Sequence, residues 1–174
     1  MVSIEHLQYP IGRYEQPDSI SFEQYQELVK SIRNYPKKLR EALDNAKSAN
    51  DYQKTYRDGS WNVQQLVHHI ADAQMNYYIR SKLAYTEKDI RFSYFDENLW
   101  AVLDDTLLPP DVSLQIIAGV NMRWSTFLQS VNADQINQAV ISPDGEQLSI
   151  AVIADKVVWH CEHHLAHIQL ALTL

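Results

Sequence analysis

Cysteine is almost missing from this chain: 174 residues contain one, Cys161. A lone thiol excludes an internal disulfide framework and fits a reducing compartment. Glycine is scarce too, at four residues. Gly59 stands by itself in Arg57-Asp58-Gly59-Ser60-Trp61, so no phosphate-cradling loop is present. Positive charge is in deficit, with 15 Lys+Arg against 22 Asp+Glu and a formal charge of -7. That balance is the opposite of the basic face that nucleic acid demands. No run has the length and apolarity of a membrane span. The start, Met1-Val2-Ser3-Ile4-Glu5-His6, lacks the basic stretch and apolar block of a signal peptide. The expectation is a cytoplasmic protein that binds neither nucleic acid nor membrane.

What is present is 45% hydrophobic and 21% charged residues, the balance of a globular domain. At this length residues 1–174 form a single domain with a core of its own. Residues 1–20, with Pro10, Gly12, Pro17, Tyr9 and Tyr14, show no helical period and read as an ordered arm laid over that domain. A first long helix follows Ser21, through Phe22, Tyr25, Leu28, Val29 and Ile32 to Leu39 and Leu43. Ser19 or Ser21 caps it, and Pro36 predicts a kink or a break into two helices. A second helix spans about Asn62 to Tyr85, and a short one is expected near Glu97–Leu103. A third long helix starts near Ser113, which suits an N-cap, and runs through Val120, Trp124 and Leu128. Ala139–Ser142 and Glu146–Ser149 flank Pro143-Asp144-Gly145 and predict a small β-hairpin. The fourth long helix runs from Ser149 or Ile150 to Leu172. Four long amphipathic helices with no sheet crossover predict an all-α four-helix bundle.

Six of the seven histidines fall in two clusters, His68-His69 on the second long helix and His160, His163, His164 and His167 on the fourth. Residues four apart share a helix face, so 160/164 and 163/167 form two pairs. Three residues advance about 300° at 3.6 per turn, so the two pairs are rotated about 60° from each other. Val157, Cys161, Leu165 and Ile168 mark the apolar stripe, which favours His160 and His164 as inward-facing. His69 continues the row Asn62, Leu66, Ala73 and is preferred to His68. Three imidazoles on one divalent ion leave open positions, the arrangement of a catalytic rather than a structural metal site. His167 is then a pocket-lining or supporting residue, and Asp72, three after His69, is a candidate to take a proton or orient an imidazole. His68, His163 and His6 read as structural, and Cys161 as a core residue. Arg80, Asn76 and Arg123 are candidates to meet an anionic substrate.

Trp61 eight residues before His69, and His160-x-x-His163-His164-x-x-His167-Ile168 on the last helix, resemble the DinB superfamily, more closely its YfiT-like branch. Tyr9-Pro10-Ile11-Gly12, Tyr56-Arg57-Asp58-Gly59, Met75-Asn76-x-Tyr78-Ile79-Arg80, Arg123-Trp124 and Trp159-His160 extend the likeness over nearly the whole chain. The branch is described as metal-dependent hydrolases and linked to bacillithiol S-transferases. The resemblance implies an up-down-down-up bundle, a homodimer and one divalent metal ion, zinc or nickel. Its ligands fall on His69, His160 and His164. The wider superfamily has glutamine at the position of His167, and the YfiT-like branch has histidine. The expected activity is hydrolysis, or transfer of a low-molecular-weight thiol to a small electrophile. Arg80 and Arg57 would meet the carboxylates of such a thiol. The alternative is a non-catalytic metal-binding or stress-response bundle.

Overall fold

The computed structural model describes residues 4–173, so Met1–Ser3 of the expected arm and Leu174 lie outside the described residues. Helix α1 is a single short stretch, Ile4–Gln8, where the sequence suggested no helix. The long helices are α2 (Phe22–Leu43), α3 (Val63–Thr86), α5 (Pro110–Gln129) and α6 (Ile150–Thr173), with a short α4 at Glu97–Trp100 between α3 and α5. Capping boxes start two of them. In α2 the Gln24 amide donates to Ser21 Oγ (3.1 Å) while the Ser21 amide donates to Gln24 Oε1 (2.8 Å). Asn62 and Gln65 make the same exchange at α3. Each box satisfies donors that the first turn leaves unpaired.

The cap expected at Ser113 and the break into two helices expected at Pro36 are both absent. Ser113 caps nothing. Pro110 takes the first position of α5, where a missing N–H costs nothing, and Ser113 sits buried inside the helix. Pro36 does not divide α2, which runs unbroken through it. The carbonyl that the proline ring deprives of a partner belongs to Ile32, and the Asn121 side-chain amide donates to it at 2.9 Å.

The bundle is set by which helices touch. Helix α2 packs on α5 and α6, and α3 packs on the same two; α2 and α3 therefore face each other mainly across a diagonal. Side-chain bonds give the directions. The Tyr25 hydroxyl near the start of α2 reaches the Leu128 carbonyl near the end of α5, so these run antiparallel. His68 and Ser113, both near their helix starts, meet at 2.7 Å, so α3 and α5 run parallel. Along α3, His69 meets His164 and the later Tyr77 meets the earlier His160, so α3 and α6 run antiparallel and the order is up, down, down, up. Leu39, Leu66, Ile70, Ile117, Leu128, Ile153 and Ile168 are among the fully buried side chains that fill the centre, with Trp124 the largest.

Between α5 and α6 lies the expected hairpin, β1 (Ala139–Ile141) paired antiparallel with β2 (Gln147–Ser149), with Val140 opposite Leu148 and both buried. Gly145 closes its turn at φ 91°, a conformation most residues resist. The hairpin runs directly into Ile150 and so fixes where α6 begins. No helix among the described residues is long and apolar enough to cross a membrane.

Candidate metal centre

Helices α3 and α6 bring His69, His160 and His164 together. One ring nitrogen from each lies within 4.8 Å of the other two. His69 and His164 are buried, and His160 is half-buried. His69 Nε2 and His160 Nε2 stand 3.0 Å apart. Two bare lone pairs at that distance repel, so without a cation one of the two must carry a proton. His160 Nδ1 is buried and has no hydrogen-bond partner. Burial, then its neighbour His69, pushes His160 well below the usual imidazole pKa; burial, then His160, does the same for His164. Burial also lowers His69, to about 4. All three are neutral near pH 7, the state in which an imidazole can ligate a metal. No carboxylate or ammonium sits within the triad, so the donor set suits a borderline-soft divalent ion.

His167 supports this set from behind. Its Nε2–H donates to the Gln8 carbonyl (3.2 Å), and its Nδ1 faces His164 Nδ1 at 3.5 Å. The bond to Gln8 leaves His167 Nδ1 as the acceptor. His164 must then carry its proton on Nδ1, which frees its Nε2 lone pair. Tyr56 stacks flat on the His167 ring, 3.9 Å between centroids. The arm thus orients a candidate ligand through one intervening ring. Tyr9 lies over His163, and Tyr14 packs on Trp159 and donates to Asp155 at 3.0 Å.

A second group, His163, His164 and His167, also has ring nitrogens within 4.8 Å of one another. His163, read from the sequence as structural, faces the same two cavities as His164. It is buried and stacked on Trp159 at 4.7 Å, and its Nδ1 has no partner. His68 has both ring nitrogens occupied: Ser113 Oγ at 2.7 Å on Nδ1 and the Leu108 carbonyl at 3.0 Å on Nε2. It joins α3 to α5 and faces away from the triad.

A cavity of about 480 Å³ opens in front of the triad. Its walls include Trp61, Phe95 and Trp159, and Asn76 and Arg80, two of the candidates for an anionic substrate, line it. A second cavity of about 260 Å³ shares Trp61, His163 and His164 with the first and contains Arg57 and His167. Asp72 lines neither. Three residues beyond His69 it turns off the triad face, and its carboxyl is raised to about 6 by burial and then by Asp105. Arg123 is exposed on α5, against Tyr78 and away from both cavities. Cys161 lies buried, its thiol pushed up to about 12 chiefly by burial, and accepts from the Gln74 amide. Lys156 was overlooked as a lining residue, although it precedes His160 by one helical turn and so shares its row.

Residues 32–168 match the DinB superfamily. The chain belongs to the DinB superfamily. A DinB relative from Oceanobacillus iheyensis, named "Putative metal-dependent hydrolase OB0413", is 38% identical over 167 residues, covering 96% of each chain. "Putative metal-dependent hydrolase YfiT" from Bacillus subtilis is 35% identical over 165 residues, covering 94% of this chain and 92% of that one. The solved structure of YfiT, described as a four-helix bundle of unusual topology, superposes with a TM-score of 0.89 over 94% of both chains at 36% identity. A mycothiol-dependent maleylpyruvate isomerase shares the fold at a TM-score of 0.65 and 15% identity, over 84% of this chain and 60% of that one.

Proposed function

We propose that this DinB protein is a mononuclear metal-dependent enzyme in which His69, His160 and His164 hold one zinc or nickel ion. The observation that carries the reading is the triad itself: three imidazoles from two helices, their ring nitrogens within 4.8 Å of one another, at the wall of an open cavity. A divalent ion held there supplies Lewis acidity and brings a bound water or thiol towards ionisation near neutral pH. The protein's own groups do the rest. His167 holds the tautomer of His164, while Trp61 packs beside His69 with Phe95 farther out on the same side of the cavity. His163 lines both cavities beside His164.

Hydrolysis is the first reading, supported by the names of the relatives. Transfer of a low-molecular-weight thiol, such as a bacillithiol-like compound, is the second. The adjoining second cavity favours it, because two chambers meeting at Trp61, His163 and His164 give room for two reactants. The homodimer and the cytoplasmic setting expected from the sequence belong to the same reading, and a solution mass twice that of the 20.2 kDa chain checks the former.

The test is to strip the protein with EDTA, restore Zn²⁺ or Ni²⁺, and run two assays. Metal-dependent ester or amide cleavage without thiol supports hydrolysis. Metal-dependent conjugation of a thiol to monochlorobimane supports transfer. Tight metal binding with neither activity overturns the enzyme reading and leaves a non-catalytic metal-binding bundle.

A further inference from the structure

The same cavity carries positive charge that the metal triad does not use. Helix α3 contributes His69, Ala73, Asn76, Tyr77 and Arg80, and α6 contributes Lys156, Trp159, His160, His163 and His164. Each set follows the spacing of one helix face. The two helices run antiparallel. Arg80 lies beyond His69 on α3, and Lys156 lies before His160 on α6, so both cations stand at the same end of the cavity.

Arg80 is only 8% exposed, yet among the described residues no carboxylate pairs with it. Its guanidinium lies 4.1 Å from the Phe92 ring centroid and donates once, to the Ser93 carbonyl at 3.1 Å. Lys156 likewise has no ion pair among the described residues. Its neighbour Asp155 is turned to the Tyr14 hydroxyl, and Tyr14 presents its ring to the ammonium. The acid on the same wall, Glu97, is exposed to water. A desolvated arginine without a counter-ion is costly to keep, and its planar fork matches a carboxylate. Aromatic side chains line much of the remainder, with Ala73, Asn76 and Leu148 between them.

We infer that this end of the cavity is a carboxylate subsite: the substrate is a small organic acid with an apolar body, its carboxylate held by Arg80 and Lys156 and its reacting centre at the histidines. This rests on the proposed function and names the substrate class for the same site. The spacing sets a length. Lys156 precedes His160 by four residues, about 6 Å of helix, and Arg80 follows His69 by eleven, about 16 Å, with its side chain directed back towards His69. The carboxylate and the reacting atom are therefore separated by about 6–16 Å.

The test uses 4-phenylbutyrate and its uncharged counterpart 4-phenylbutanol, titrated into the full chain and followed by tryptophan fluorescence, since Trp61 and Trp159 line the cavity. Metal-free protein is measured first, so that carboxylate binding to a metal cannot imitate the effect. The acid is expected to bind at least about tenfold tighter than the alcohol, as a charge-assisted pair in a partly desolvated site gives. Arg80→Gln and Lys156→Gln each reduce that preference while leaving the alcohol's affinity in place. Lys156→Gln, at a half-buried position, tests the subsite even if Arg80→Gln fails to fold. Equal affinity for acid and alcohol in the unaltered protein overturns the proposal, and so does an unchanged preference in Lys156→Gln. A separate Zn²⁺ titration distinguishes the failures: protein that binds no zinc yet prefers the acid refutes the metal reading and keeps the subsite.

Discussion

The Asn121 side-chain amide, on α5, donates to the carbonyl of Ile32 on α2, the acceptor that Pro36 leaves without its helical partner. Asn121 is 1% exposed, so this bond replaces a lost backbone bond inside the core, where an unpaired carbonyl is expensive. Replacing Asn121 with Ala is expected to cost about 1–3 kcal/mol, the range for stranding a buried polar group. In a Pro36→Ala background, residue 36 supplies its own N–H and the same replacement should cost markedly less. Urea midpoints of the two singles and the double measure the coupling. Additive effects would show that Asn121 does not compensate for the proline.

Removing either α6 ligand should abolish tight metal binding. His160→Ala and His164→Ala are each expected to lose the rise in melting temperature that Zn²⁺ gives the unaltered protein. That rise corresponds to about 2.7 kcal/mol when free metal is a hundred times the dissociation constant. His68→Ala is the contrast. Both its ring nitrogens are committed to Ser113 and Leu108, so it should lower the melting temperature without changing zinc affinity. A His68 variant that fails to bind zinc would break the assignment of roles on α3.

Much of this arrangement is legible along the chain, because its four long helices carry apolar residues at helical spacing and two of them carry paired histidines. Where local reading fails, a distant residue has decided. Pro36 looks like a break because nothing near it reveals Asn121, 85 positions away. Ser113 looks like a cap because its hydroxyl type fits one, but Pro110 starts the helix earlier and the hydroxyl is left to meet His68. Asp72 looks close to His69 in sequence, yet a three-residue step turns it off the triad face, whereas the eleven-residue step to Arg80 returns to it. His163 reads as structural, and the rings that meet it come from Trp159 on its own helix and from Tyr9 on an arm that has no period to place it.

Acid should destabilise the metal-free protein in a defined window. The folded-state pKa of His69 and of His167 is lowered from 6.5 to about 4, and His160 and His164 are also lowered, in every case chiefly by burial. The unfolded chain therefore binds more protons than the folded one between these values, and stability rises with pH there. The contribution is complete above about pH 6.5 and is lost as pH falls towards 4. Urea midpoints of EDTA-treated protein should be flat from pH 8 to 7 and then fall steadily to pH 5. A midpoint independent of pH across 7 to 5 would contradict burial of these imidazoles.

The arm's hold on His164 is the least direct of these relationships and has the most specific consequence. Gln8 accepts from His167 Nε2, which leaves His167 Nδ1 to accept from His164. If that sequence sets the ligand tautomer, His167→Ala should weaken zinc binding by about 10–100-fold, the usual cost of losing a residue that orients a metal-bound imidazole. His167→Gln should recover part of the loss, since an amide can accept from His164 through its oxygen and donate to the Gln8 carbonyl through its nitrogen. Both variants remove the Tyr56 stacking partner, so packing alone predicts equal damage from the two. The arm gives a second readout. His167→Ala should speed tryptic cleavage after Arg13, because a docking bond is lost with the imidazole, and His167→Gln should slow it again. Zinc affinity that falls equally in both variants, with unchanged cleavage, would assign His167 to packing and remove the arm from control of the centre.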